Sequence, residues 1–259
     1  MNTTRNITGF SLLVFAHILP VTAMAESDFQ IGGAVGMQTK HLEYKFVDRQ
    51  ASGLNVDPTI QTFLYSLVTS YGRFFANIEL ETTIEGDTQY APGGGTPSTT
   101  NIIESKRSDS GITLGYNLWR GLSVFGGYKL GETESNISPV DGGVLTLTFS
   151  QRGPFAGMAY TQPIGTKGSV VVSAAYANLD GEVDINFVGT GTRFTSGGST
   201  SGLSYGIGWT GSLSENAYYR LSFKANNYTF KDKDLAFEGK NLSNDENYRI
   251  FGLSVGTTF

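Results

Sequence analysis

From Phe29 to its last residue the chain alternates. Phe29, Ile31, Gly33, Val35 and Met37 share one parity, and Gln30, Gly32, Ala34, Gly36, Gln38 and Lys40 take the other. The same two-residue period returns in Phe63, Tyr65, Leu67 and Tyr71, and in Phe74, Ala76, Ile78, Leu80 and Ile84 against Asn77, Glu79, Glu81, Thr83 and Glu85. Leu122, Val124, Tyr128 and Leu130 repeat it, as do Val170, Val172 and Tyr176, then Leu203, Tyr205, Ile207 and Trp209. Successive strand side chains point to opposite faces, so this period predicts β-strands throughout. One face is rich in Leu, Val, Tyr and Phe. The other is small, Gly-rich and charged, which suits a narrow wet lumen behind a lipid-facing wall better than a soluble sandwich.

The connections set the topology. Short ones fall at Gly72-Arg73, Trp119-Arg120-Gly121, Pro163 to Gly168 and Gly211 to Asn216; long polar ones are expected over 46–57, 86–106, 132–143, 179–200 and 231–246. They alternate strictly, and the short turns recur every ~45 residues, so each unit is a hairpin plus a loop. The expectation is an all-β, antiparallel up-and-down transmembrane β-barrel of about ten strands, eight or twelve being the alternatives. It has short periplasmic turns and long extracellular loops. Aromatic residues form two groups. Phe29, Tyr71, Phe74, Trp119, Tyr160, Trp209, Tyr218, Tyr219 and Phe259 sit by the short turns; Phe63, Tyr128, Phe149, Tyr228, Phe230 and Tyr248 lie toward the loops. Two belts flanking an apolar band are expected at the two membrane interfaces. One irregularity stands out. Leu145, Leu147 and Phe149 differ in parity from Ala156, Met158 and Tyr160, which predicts a bulge near Gly153-Pro154.

Composition narrows this. The chain has 259 residues, no cysteine, 34 glycines, 39% hydrophobic residues and a net charge of −5. Disulfides and cysteine metal sites are excluded, and an acidic surface disfavours nucleic acid. Arg5, an apolar stretch from Ile7 to Val21, and Ala23-Met24-Ala25 read as a secretory signal peptide over residues 1–25, leaving 26–259 as the barrel.

The final strand carries a resemblance. Phe251, Leu253, Val255 and the terminal Phe259 resemble the C-terminal signal of bacterial outer-membrane barrels. The resemblance covers the whole chain at the level of the class. It implies an outer-membrane location, handling by the barrel-assembly machinery, and contact with outer-membrane lipids and lipopolysaccharide. It matches no family motif, so it brings no functional site with it.

Candidate chemistry is concentrated on the lumen parity: Lys40, Glu79, Glu81, Glu85, Arg107, Asp109, Lys129, Arg220 and Lys224. Unpaired charges in a narrow interior are costly, so pairing into a network that plugs the lumen is expected. The alternative is a charged constriction that selects ions. Ten strands enclose little more than their own side chains, which favours the plug. An enzyme is a third reading. Outer-membrane proteases of the omptin type use two Asp pairs and a His near the rim, and this chain has Asp232-x-Asp234 and His41-x-Glu43. However, His41 shares parity with Met37 and should face outward, and no Asp-x-His is present. Absence of a second histidine after residue 25 equally weakens a Ser-His hydrolase. The Gly-rich run at 93–95 lacks the GK[ST] ending of a phosphate cradle. The expectation is therefore a monomeric, non-enzymatic barrel without cofactor or metal, acting through its loops on an unidentified surface ligand, with a narrow passive pore as the alternative.

Overall fold

The computed structural model describes residues 29–47, 54–92, 100–139, 144–165, 168–232 and 243–259. These form twelve β-segments: β1 (Phe29–Val47), β2 (Leu54–Val56), β3 (Thr59–Tyr71), β4 (Phe74–Glu85), β5 (Asp87–Pro92), β6 (Thr100–Trp119), β7 (Leu122–Pro139), β8 (Leu145–Ile164), β9 (Gly168–Phe187), β10 (Thr192–Ser212), β11 (Ala217–Asp232) and β12 (Ser243–Thr258). All neighbours are antiparallel. β2 only caps β1 and β5 only caps β6, so the wall has ten staves, and β12 pairs with β1 to close it. Closure runs from Gly32↔Thr258 to Val47↔Ser243. Ile31 and Phe259 finish the seam by exchanging backbone N–H···O bonds of 3.5 and 2.8 Å. The expected ten-strand up-and-down barrel is the observed fold.

The short turns follow from local chemistry. Between β6 and β7, Arg120 and Gly121 both have positive φ, 35° and 88°, as a two-residue primed hairpin turn requires. A Cβ at Gly121 would lie 2.2 Å from the Thr161 carbonyl oxygen, so glycine is needed there on two counts. Gly72 supplies the positive φ, 57°, of the β3–β4 turn.

Three of the long connections are shorter than expected. β5 and β6 occupy most of 86–106, β7 runs to Pro139, and β9 and β10 stay paired up to Phe187↔Thr192, leaving 188–191 as the turn in place of 179–200. The wall thus continues well past the membrane-facing band. On β9 the outward apolar run ends at Tyr176, and Asn178, Asp180 and Glu182 follow it, all exposed. Nine residues, 168–176, at ~3.3 Å each and a tilt near 45°, rise about 21 Å, most of the ~25 Å apolar band of a membrane barrel.

Above that level the pattern inverts. Phe149, Leu179, Phe230 and Ile137 point inward and are at most 8% exposed, while Arg152, Asp180 and Lys231 point out. The lower barrel carries its apolar side chains outward; the upper barrel carries them inward like a soluble protein. This inversion corrects two expectations. There is no bulge at Gly153-Pro154: Arg152↔Asp180 and Phe155↔Ala177 keep one register, with pairing only interrupted between them, because proline has no N–H to donate. The change of apolar parity along β8 is the change of surroundings. Likewise Phe149, Tyr228, Phe230 and Tyr248 are not a loop-side belt; each is at most 3% exposed inside the barrel. Tyr218, expected in the short-turn belt, also points inward, at 8% exposure.

Candidate functional site

The lumen holds a layer of charge at mid-height, assembled from strands that are distant in sequence. Lys40 on β1 bonds Glu81 on β4 at 2.7 Å and Asp109 on β6. Arg107, two residues from Asp109 and so on the same face, clamps that carboxylate with Nε–Oδ2 at 2.8 Å and Nη2–Oδ1 at 2.9 Å. Its Nη1 donates to Thr133 Oγ1 at 2.6 Å and Tyr248 Oη at 2.8 Å, and reaches Glu246 Oε1 at 3.5 Å. Gln151 on β8 donates to the other Glu246 oxygen, and Thr62 donates to Glu81. Lys129 on β7 donates to Tyr228 Oη at 2.9 Å, with its ammonium 4.1 Å from the ring centroid. Ser204 is also 2.9 Å from that hydroxyl.

Four of these links are chords. Arg107–Glu246 and Arg107–Tyr248 join β6 to β12, Gln151–Glu246 joins β8 to β12, and Lys129–Tyr228 joins β7 to β11. In each case three staves lie between the partners one way round and five the other, so each link crosses the bore. Among the described residues, five basic side chains (Lys40, Arg107, Lys129, Arg220, Lys224) and four acidic ones (Glu79, Glu81, Asp109, Glu246) are buried. Near-neutrality and multiple hydrogen bonds per group offset the desolvation that such burial costs.

Apolar side chains close over both sides. On the loop side Phe149 and Phe230 pack edge-on, 5.4 Å apart, beside Leu42, Ile103, Ile137 and Leu179. On the short-turn side Phe75, Phe125 and Phe155 form a floor, seated on glycines: a Cβ at Gly115 would lie 2.0 Å from Phe75 Cζ, and one at Gly127 2.5 Å from Phe155 Cζ. Beside Phe75, the β3–β4 wall of the lower lumen is polar, with Ser66 donating to Asn77 Oδ1 at 3.0 Å and Asn77 donating to Glu79 at 2.9 Å. A cavity against Arg220, Gln38 and Ser254 holds about 10 Å³, room for about one water.

The lumen-parity residues divide as follows. Lys40, Glu79, Glu81, Arg107, Asp109, Lys129, Arg220 and Lys224 are all buried inside, and Lys40, Glu81, Arg107 and Asp109 form one cluster. Glu85 is exposed and outside it. Four residues, 83–86, face only Lys106 and Arg107 of β6, because Thr82 pairs Ser108 whereas Asp87 pairs Ser105. This bulge takes Glu85 off the parity. The sequence reading misses Glu246, Gln151, Tyr228 and Tyr248 as members of the layer. A signal for two of them was present on the last strand. Phe251, Leu253 and Val255 carry its outward parity, so counting back by twos from Gly252 through Ile250 places Tyr248 and Glu246 inside.

His41 is exposed on the outer wall, its Nδ1 3.2 Å from Thr59 Oγ1. Asp234 and the segment 1–25 lie outside the described residues, as does the side chain of Asp232. On the last strand Phe251, Leu253 and Val255 face outward at 63%, 54% and 47% exposure, and Phe259 stands at 79%. Among the described residues no group of three or more His, Asp or Glu is arranged to hold a metal.

No protein-family model matches the chain, and no curated protein matches it. Solved structures do. The outer membrane protease OmpT from Escherichia coli superposes with a TM-score of 0.60 at 7% identity, over 91% of this chain and 98% of its own. The translocator domain of the autotransporter NalP from Neisseria meningitidis gives 0.47 at 13% identity, over 88% of each chain. Ail, the attachment invasion locus protein of Yersinia pestis, gives 0.39 at 12% identity, over 90% of this chain and 99% of its own. At these identities the likeness is one of fold: that of an outer-membrane β-barrel.

Proposed function

We propose that this chain is an outer-membrane barrel whose bore is closed by the charged layer, and that it acts at the surface through the wall and loops standing above the membrane. The observation that carries the reading is the set of four chords, Arg107–Glu246, Arg107–Tyr248, Gln151–Glu246 and Lys129–Tyr228, between apolar packing above and below. A bore crossed by direct side-chain bonds is obstructed at that level, which supports a closed lumen. The outward band, including Leu221, Phe251, Leu253 and Ile207 at 49–63% exposure, supports the membrane setting, since a patch of that extent is unstable in water. The test is single-channel recording of the refolded chain in a planar bilayer. A silent bilayer with heat-modifiable, folded protein is expected; discrete, reproducible openings overturn the reading.

A narrow pore is the second reading. It is favoured by the small and polar row on the lower lumen wall, Gly36, Ser66, Ser70 and Ser254, which suits a wet vestibule. On that reading, charge reversal at Glu79, Lys129 or Arg220 changes ion selectivity.

A further inference from the structure

The pairing inside the charged layer leaves two buried groups over. Lys129 is 4% exposed, and its bonding partners among the described residues are neutral: Tyr228 Oη at 2.9 Å and the face of the same ring. It stands between Gly111 on β6 and Gly153 on β8, so neither flanking strand offers it a side chain. Three nearby carboxylates are held by other groups. Asp109 is taken by Lys40 and Arg107, Glu81 by Lys40 and Thr62, and Glu246 by Arg107 and Gln151. The second group is Asn226 on β11. It is fully buried, and among the described residues neither its Nδ2 nor its Oδ1 has a hydrogen-bond partner. A buried amide in that state is costly and marks the place of a group that completes it. The two are neighbours on the lumen wall. Ser204 lies opposite Asn226 on β10, and its Oγ is 2.9 Å from the Tyr228 hydroxyl that Lys129 bonds. Beyond Ser204 the same row is built of small residues, Ala175 and then Gly157. Lys224, the next inward residue toward the short turns, brings a second ammonium to this wall and has interactions of its own.

Resting on the closed layer of the reading above, we propose that the lumen binds one small inorganic anion, of the size of chloride, between the Lys129 ammonium and the Asn226 amide. Nζ and Nδ2 donate to it, and Lys224 attracts it from the same wall. Charge balance points the same way. Five buried basic and four buried acidic side chains among the described residues leave one positive charge, and a single anion brings them to neutrality. A water molecule would complete the amide and leave the charge.

The full chain is refolded in neutral-detergent micelles, and thermal unfolding is followed by tryptophan fluorescence as sodium chloride replaces sodium gluconate at constant ionic strength. Gluconate is the bulky reference anion. The midpoint should rise with the logarithm of chloride concentration, by about 3–5 °C for each tenfold once the site fills. Lys129→Met should abolish the dependence and, in gluconate alone, unfold no earlier than the parent, because it removes an ammonium that has no carboxylate partner. Asn226→Leu keeps both lysines and should move the dependence to about tenfold higher chloride. Arg193→Gln, on the exposed β9–β10 hairpin, should leave it unchanged. Equal midpoints in the two salts for the parent overturn the proposal and assign the amide to water. A chloride dependence unchanged in whichever of Lys129→Met and Asn226→Leu folds overturns it too, since the anion then acts elsewhere. A silent planar bilayer with no chloride effect removes the anion alone; open channels with no chloride effect remove the closed layer and the anion together.

Discussion

Arg107 and Tyr248, 141 residues apart in the chain, meet across the lumen: Nη1 donates to the phenol oxygen at 2.8 Å, and the guanidinium stands 4.5 Å over the ring. The same guanidinium clamps Asp109 and approaches Glu246. Removing it takes a cationic partner from two buried carboxylates, leaving Asp109 to Lys40 and Glu246 to Gln151. Arg107→Met should cost about 3–5 kcal/mol, the usual penalty for breaking a buried ion pair from one side. Urea unfolding followed by tryptophan fluorescence measures it; a loss below about 1 kcal/mol means the layer is wetter than its geometry shows.

The aromatic floor makes a packing prediction. Gly115→Ala puts a methyl into Phe75 and should destabilise by about 1–3 kcal/mol through overpacking. Phe75→Leu in the same chain should recover part of that, because the two residues touch and their effects couple. Strict additivity in the double-mutant cycle would show that the ring moves aside freely.

The inversion of the wall is testable by charge. Leu221→Arg, on the lipid-facing band, should cost about 2–4 kcal/mol, whereas Thr148→Arg, outward on β8 and paired with Asp184, should cost about 0–1 kcal/mol. Equal costs at the two sites would contradict the assignment of the bilayer to the lower barrel.

The end of the chain makes a biogenesis prediction. Phe259→Glu should lower the amount of folded protein in the outer membrane, read as the heat-modifiable band in membrane fractions. Normal levels would argue against a role for the last residue in assembly.

Much of the fold was legible because a period of two survives any change of surroundings. Lys40, Asp109 and Lys129 could be placed inside from parity alone. What parity does not carry is polarity of the outside. Phe149, Tyr228, Phe230 and Tyr248 lie above the outward apolar band, where apolar side chains turn inward, so their chemistry read as a belt when they are core. The polar segment 179–200 read as a loop for the same reason: its outward residues face water while its backbone remains in the ladder. Glu85 failed through a two-residue bulge, which no alternation announces. The chords were not legible at all. They depend on which staves face one another, and that follows only from closure.

The seam between Ile31 and Phe259 has a temporal meaning. A solenoid can begin to fold behind its leading end, but a ring has no stable partial form: with β12 absent, β1 and β11 both present open edges. The most distant pairing in the chain is therefore the one on which every other depends, and contacts of such long range form slowly. Pairing of the last strand removes both open edges at once, so its arrival ends the exposure of the two strands that flank the gap.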